Sequence, residues 1–346
     1  MSNQLFKKVL VCGGAGFIGS NFVHHLHGAY PDCQIYNLDM LTYSGNKKNL
    51  SDLDGSGRYE FIHGDIGDKN LLSSLFNTHR FDAVVNFAAE SHVDRSLHSS
   101  YHFIQSNVVG THTLIEAARQ HAVPRFIQIS TDEVYGDIRD GESDENTPLN
   151  PSSPYSSSKA AADLLIKSYI KSYKLPAVIV RGSNNFGPYQ YPEKLIPLVI
   201  SNLLEGKKIP VHGNGLHTRS WLYVQDFCHA IDAVLCRGKL GEIYNVSGVP
   251  KTNLEVLEEI SKNLNLTTSW QESVVHTNDR PGADLRYAPN SGKIMREMGW
   301  RPLWRFEDGM KSTVQWYLTN REWWTQIKNT PAFLEHYEKQ YKAQYF

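Results

Sequence analysis

Lys8-Val-Leu-Val-Cys12-Gly13-Gly14-Ala15-Gly16-Phe17-Ile18-Gly19 is the stretch whose reading decides the fold. A short β-branched run predicts a strand over 8–12, and a helix is expected over 20–28, so the glycines fill the turn between them. Gly13 allows the tight turn, Gly16 lets the backbone approach a phosphate, and Gly19 lets the helix pack on the strand. Free N–H groups at the helix start then face an anion. Three glycines alone are weak evidence, but an acid follows at the expected distance: Asp39 closes the next strand, twenty residues beyond Gly19. Its carboxylate can accept from both hydroxyls of an adenosine ribose. It would repel a 2′-phosphate, and no arginine stands beside it, so the expected cofactor is NAD, not NADP.

Outward from that turn, short apolar runs at 34–38, 59–63, 83–87, 125–129 and 177–181 alternate with helix-length segments. Strands spaced by crossovers of that length predict a parallel sheet covered on both faces. The expected fold class is α/β: a Rossmann-type doubly wound parallel sheet with a smaller C-terminal α/β substrate lobe. The nucleotide-binding domain is expected over 1–184, with a returning segment at about 221–240 whose helix covers 224–235. The remainder of 185–346 forms the second lobe, with helices at 254–264, 291–298 and 306–318. Ligands of such sheets sit beyond the C-terminal strand ends, so Asp65 and Ile66 after the third strand are placed to meet adenine. Ala88 and Ala89 after the fourth are small enough to let the cofactor pass.

With 346 residues, 40% hydrophobic and 21% charged, the chain is long enough for two lobes around a sizeable core. A net charge of -1 gives no electrostatic case for nucleic acid or an anionic membrane. Residues 1–8 lack the apolar run of a leader, and no stretch is apolar for the length of a membrane span. Cys12, Cys33, Cys228 and Cys236 have no metal-ligand spacing and read as reduced thiols of a cytoplasmic protein. His24, His25 and His27 on one short helix lack a Cys or carboxylate partner, so no metal is expected.

Tyr155-Ser-Ser-Ser-Lys159 sets a phenol and an ammonium one helical turn apart, where the cation would lower the phenol's pKa. That spacing recurs by chance about once in a chain of this composition, and Tyr43 and Lys47 repeat it. What singles out Tyr155 is its place downstream of Ser130-Thr-Asp-Glu-Val-Tyr-Gly136, which follows the fifth strand. There a hydroxyl, Thr131, precedes two carboxylates, Asp132 and Glu133. Oxidising a sugar carbon to a ketone acidifies the hydrogen on its neighbour. One carboxylate can then remove that proton, and the other, held protonated, can donate to a departing hydroxyl.

These stretches, with Leu41-Thr-Tyr-Ser-Gly45, Ala88-Ala-Glu-Ser-His-Val-Asp-Arg-Ser96, Ser183-Asn-Asn-Phe-Gly-Pro188, Pro192-Glu-Lys-Leu-Ile-Pro197, residues 219–226 and Asp279-Arg-Pro-Gly282, resemble the extended short-chain dehydrogenases/reductases. Within them they resemble the dTDP-glucose 4,6-dehydratases of rhamnose biosynthesis. The resemblance implies that Tyr155, aided by Thr131 and Lys159, deprotonates the glucose 4-hydroxyl as the C4 hydride passes to NAD. It implies that Glu133 removes the C5 proton, Asp132 protonates the leaving 6-hydroxyl, and hydride returns to C6, giving dTDP-4-dehydro-6-deoxyglucose. It implies further NAD contacts at Phe17, Ile18, Leu41, Thr42, Ser106, Tyr155 and Lys159. It implies a nucleotide-sugar site at Ser91, Thr131, Asn184, Lys194, Leu195, Pro210, His212, Arg219, Asn253 and Arg280, and a homodimer built on helices over 108–118 and 160–170.

Two positions depart from the family pattern: Ser220 where an Asp is usual in Arg-Asp-Trp, and Ala283 where a His is frequent. Both bear on the nucleotide base. A 4-epimerase on the same scaffold would leave the Asp132–Glu133 pair without a task. A decarboxylase would need a cationic pocket for a hexuronate, and an NAD-sensing regulator would be expected to have lost Tyr155 or Lys159.

Overall fold

The structure, a computed structural model, describes residues 6–266 and 269–341. Residues 1–5 of the stretch read for a leader, and 342–346 at the end of the second lobe, lie outside the described residues.

Six strands come first in the chain: β1 (Lys8–Cys12), β2 (Gln34–Asp39), β3 (Tyr59–His63), β4 (Ala83–Asn86), β5 (Phe126–Thr131) and β6 (Ala177–Gly182). They are followed by β7 (Asn184–Phe186), β8 (Ile209–His212), β9 (Thr218–Tyr223), β10 (Ile243–Val246), β11 (Val249–Thr252) and β12 (Val274–Thr277). The main sheet has the order β10-β6-β5-β4-β1-β2-β3, and all its pairings are parallel. It is the Rossmann-type sheet expected from the strand spacing. Chain order reverses between β1 and β4, which opens a crevice above the glycine turn.

Alternate side chains of the strands serve opposite faces. Val9 and Val11 join Ile35, Val85 and Ile127 under the helices Phe17–Ala29 and Val224–Arg237. Leu10 and Cys12 join Leu38, Val84 and Phe126 under Lys69–His79, Thr111–Gln120 and Pro154–Tyr173. Each such side chain taken out of water contributes about 1.5–3 kcal/mol. A third core, around Phe186, Trp221, Tyr317 and Trp324, joins the small sheet β11-β9-β7 to the later helices.

The first helix begins at Phe17, three residues earlier than the glycine pattern suggested. Gly16 takes the extended N-cap conformation, and Gly19 sits inside the first turn instead of ending the loop. Strand β10 was not expected. It follows the looser segment after Asn184 with no crossover pattern of its own, and its pairing with β6 reveals it. Among the described residues no helix is long and apolar enough to cross a membrane.

Candidate active site

Gly13 has φ +76, and a Cβ there would lie 2.5 Å from the Ala88 nitrogen. At Gly19 a Cβ would lie 2.2 Å from the Gly13 oxygen. The turn is thus pressed against β4 on one side and against its own helix on the other, leaving the backbone of 13–19 open to the crevice. Asp39 is buried at the end of β2 and accepts from Ala15 N at 2.9 Å and Leu41 N at 2.8 Å. A carboxylate offers about four acceptor positions, so it retains capacity for a ribose.

The crevice is lined by Gly13, Gly16, Phe17, Ile18, Gly19, Asp39, Thr42, Asp65, Ile66, Ala88, Ala89, Ser106, Tyr155 and Lys159. Leu41 is outside the lining and serves through its N–H to Asp39. Ser91, expected at the sugar, borders this crevice. A second cavity is bordered by Glu133, Asn184, Lys194, Leu195, Pro210, His212, Arg219, Asn253 and Arg280. Gln190, Glu193 and Lys194 border both, so the two cavities meet where Tyr155 and Glu133 face inward.

Thr131 ends β5, and its hydroxyl accepts from Glu133 N at 3.2 Å, capping the short 3-10 turn Asp132–Tyr135. Asp132 is buried, and its Oδ2 has no hydrogen-bond partner among the described residues. Burial first, and the Glu133 carboxylate second, push the Asp132 carboxyl up to about 8. Glu133 is also raised by burial, against the pull of Arg219, Lys194 and Arg280. Burial dominates at both carboxylates and Arg219 opposes it at both, whereas Lys194 and Arg280 act on Glu133.

Ser153 begins the helix Pro154–Tyr173 with a reciprocal capping box to Ser156 and Pro154 in its first turn. Tyr155 is buried on that first turn, and its N–H donates to Ser96 Oγ at 3.2 Å. Burial and the Glu133 charge raise its phenol, which the Thr131 hydroxyl partly offsets. The expected lowering by Lys159 is therefore not what these surroundings produce. The Lys159 ammonium instead donates to the Ile129 carbonyl at 2.7 Å, and burial lowers it to about 8.

Sequence reasoning passed over several groups at the cavities. Tyr287 and Asp284 border the second, with Tyr287 donating to Asp284 Oδ2 at 2.8 Å and the Arg219 guanidinium 4.2 Å over the Tyr287 ring. Asp94 holds Arg280 through bonds of 2.7 and 2.8 Å. Of the two departures, Ala283 borders the cavity, whereas Ser220 is buried in β9 with its hydroxyl 3.4 Å from the Tyr287 carbonyl. His24 and His25 pair with Asp52 and Asp232, each at 3.0 Å. Among the described residues His92, Glu193 and His336, not the histidines of the first helix, bring metal-ligating atoms together, within 4.8 Å. There Arg95 already donates twice to Glu193 Oε2, at 3.0 and 2.9 Å.

A family model described as GDP-mannose 4,6 dehydratase matches residues 10–313. The chain belongs to this 4,6-dehydratase family. A family relative, the dTDP-glucose 4,6-dehydratase of Streptomyces niveus, is 46% identical over 327 residues, 93% of this chain and 96% of that protein. The crystal structure of DesIV, the dTDP-glucose 4,6-dehydratase of Streptomyces venezuelae with NAD bound, is 47% identical with TM-score 0.89, covering 93% of this chain and 100% of that one. The Bacillus anthracis dTDP-glucose 4,6-dehydratase in complex with NAD is 47% identical with TM-score 0.87, covering 93% and 99%.

Proposed function

We propose that this chain is an NAD-dependent dTDP-glucose 4,6-dehydratase, a hydro-lyase that makes dTDP-4-dehydro-6-deoxyglucose for deoxysugar and dTDP-rhamnose synthesis. The observation that carries this reading is the adjacent carboxylate pair after β5, Asp132 buried with an unpartnered Oδ2 and Glu133 bordering the second cavity, with the buried Tyr155 bordering the first. Neither an epimerase nor a simple dehydrogenase has work for such a pair.

The glycine cradle and Asp39 fit NAD, since any Cβ at Gly13 or Gly19 would occupy the space of neighbouring backbone. When bound, NAD supplies the acceptor that takes hydrogen from C4 and returns it at C6. The chain's own residues do the proton work. Tyr155 enters this step as the phenolate, with Thr131 donating to its oxygen, and becomes a phenol on taking the 4-hydroxyl proton. The Lys159 ammonium one helical turn along favours the ionised starting form. Glu133 removes the C5 proton, made acidic by the adjacent ketone. Asp132 delivers its proton to the 6-oxygen, so water leaves across C5–C6. Arg219, Arg280 and Lys194 suit the diphosphate, and Arg280 can present a planar fork to it.

The nucleotide-binding domain is assigned to 1–184 with about 221–240, and the substrate lobe to the rest of 185–346. A homodimer is supported by Ile104, Val109 and Leu164, which stay 44%, 43% and 55% exposed on two packed helical segments. A cytoplasmic setting is supported by four free thiols.

Incubating the protein with dTDP-glucose and following the alkali-sensitive absorbance of a 4-keto-6-deoxy sugar tests the reading. Turnover of UDP- or CDP-glucose without turnover of dTDP-glucose would overturn the base assignment and keep the chemistry.

A further inference from the structure

The last helix, Pro331–Tyr341, lies beyond residue 313, where the family match ends. Its inner side chains Phe333, His336 and Gln340 are buried. His336 meets the ring of His92 edge-on at 5.1 Å, and its Nε2 stands 3.7 Å from Glu193, so the helix is seated on residues bordering the substrate cavity. From that seat Gln340 Nε2 donates to Asp94 Oδ2 at 2.6 Å. The same fully buried carboxylate receives Arg280, whose Nε reaches Oδ1 at 2.7 Å and whose Nη2 reaches Oδ2 at 2.8 Å. Tyr341 borders the cavity itself. Its ring stacks near that of His212 on β8, with centroids 5.8 Å apart and planes inclined by 29°. The His212 ring is in turn oriented by the Asn278 carbonyl, 3.2 Å from Nδ1.

We propose that this helix completes the nucleotide site: Tyr341 and His212 form an aromatic wall for the base, and Gln340 is a positioning residue that sets Arg280 through Asp94. The proposal rests on the dTDP-glucose reading. Besides the Arg280 fork, Asp94 Oδ2 stands 3.5 Å from His92 Nδ1. The shorter Gln340 bond on the same oxygen adds a restraint on the carboxylate plane, and with it on the direction of the guanidinium bound to it. Arg280 is otherwise about a third exposed, and a guanidinium held in place loses less freedom when the diphosphate arrives. Tyrosine suits the wall because its flat apolar face packs on a base at little rotamer cost.

The test uses the intact chain and three variants, Gln340→Met, Tyr341→Ala and Tyr341→Phe, with dTDP and inorganic pyrophosphate as calorimetric probes and dTDP-glucose turnover as the kinetic readout. Gln340→Met should weaken both dTDP and pyrophosphate by about tenfold, the worth of one charge-assisted hydrogen bond. It should raise KM by the same factor while kcat stays within about twofold. Tyr341→Ala should weaken dTDP by about tenfold and leave pyrophosphate alone, and Tyr341→Phe should restore dTDP affinity. Unchanged dTDP affinity in both Gln340→Met and Tyr341→Ala would overturn the proposal, as would losses that follow a lowered thermal midpoint and strike both probes alike in Tyr341→Ala. A wild type that binds dTDP but leaves dTDP-glucose unchanged would overturn the function reading instead. The calorimetric comparison still decides the role of the helix in that case.

Discussion

Arg181 and Asp163, both fully buried, form an ion pair of 2.9 Å that ties β6 to the helix carrying Tyr155 and Lys159. The same guanidinium donates to the Tyr135 hydroxyl at 2.8 Å, and that hydroxyl donates to Asn245 Oδ1 at 2.8 Å. One side chain therefore spans the two segments that bear Asp132, Glu133 and Tyr155. Removing one partner leaves an uncompensated buried charge, which costs about 3–5 kcal/mol. Asp163→Ala should lower the free energy of unfolding by that amount in urea titration. A loss below about 1 kcal/mol would mean that water reaches the guanidinium.

Glu133→Gln and Tyr155→Phe should fail at different steps. With Glu133→Gln, hydride transfer precedes the block, so mixing with dTDP-glucose should raise NADH absorbance without forming the keto-deoxy product. The loss in kcat should be about 10²–10⁴-fold, as for removal of a general base. Tyr155→Phe should show no NADH signal. Near-full turnover by Glu133→Gln would remove Glu133 from the C5 step.

In the proposed mechanism Asp132 acts as an acid only when protonated, and Lys159 aids Tyr155 only when charged. Burial carries both to about 8, Asp132 upward and Lys159 downward. Turnover should hold through neutral pH and fall as pH rises through about 8. The Asp132 shift also affects stability. Its folded value is above the ordinary one of 3.8, so the native state holds the proton more tightly. That contribution is full below about 4 and is lost as pH rises through about 8. In Asp132→Asn, unfolding free energy should decline less between about pH 5 and 8 than in wild type. Equal slopes would mean that Asp132 is already ionised.

Gly13→Ala would need a left-handed backbone, costing about 1–2 kcal/mol, before its Cβ meets the Ala88 backbone at 2.5 Å. The variant should be purified without bound nucleotide and with a lower thermal midpoint. Retention of NAD at wild-type occupancy would show that the turn can shift.

Leu164 is 55% exposed on the helix Pro154–Tyr173. On the proposed homodimer, sedimentation velocity should give a dimer for the wild type and a monomer for Leu164→Asp. An unchanged dimer would place the contact elsewhere.

Elements with enough residues to show a period were legible in the sequence: β1 at Lys8–Cys12, β3 at Tyr59–His63, and the helix Asn253–Leu264, expected over 254–264. β10 and β7 were not, because they are defined by their neighbours in the sheet and not by any pattern of their own. The cofactor turn was readable because left-handed backbone and close approach restrict residue type at Gly13 and Gly19. The partners of the reactive groups were not, since Asp94 meets Arg280 across 186 positions and Tyr135 meets Asn245 across 110. The sign of the Tyr155 shift was missed for the same reason. The spacing to Lys159 suggests an attraction, but not the burial and the Glu133 charge that raise the phenol, nor that the ammonium donates to the Ile129 carbonyl.

Strand β10 enters the main sheet only after the chain has built β7, β8 and β9 outside it. A cut at the 184/185 boundary therefore separates β10 from the six other strands of the main sheet. A ribosome must deliver most of the sequence before the edge beside β6 can be closed.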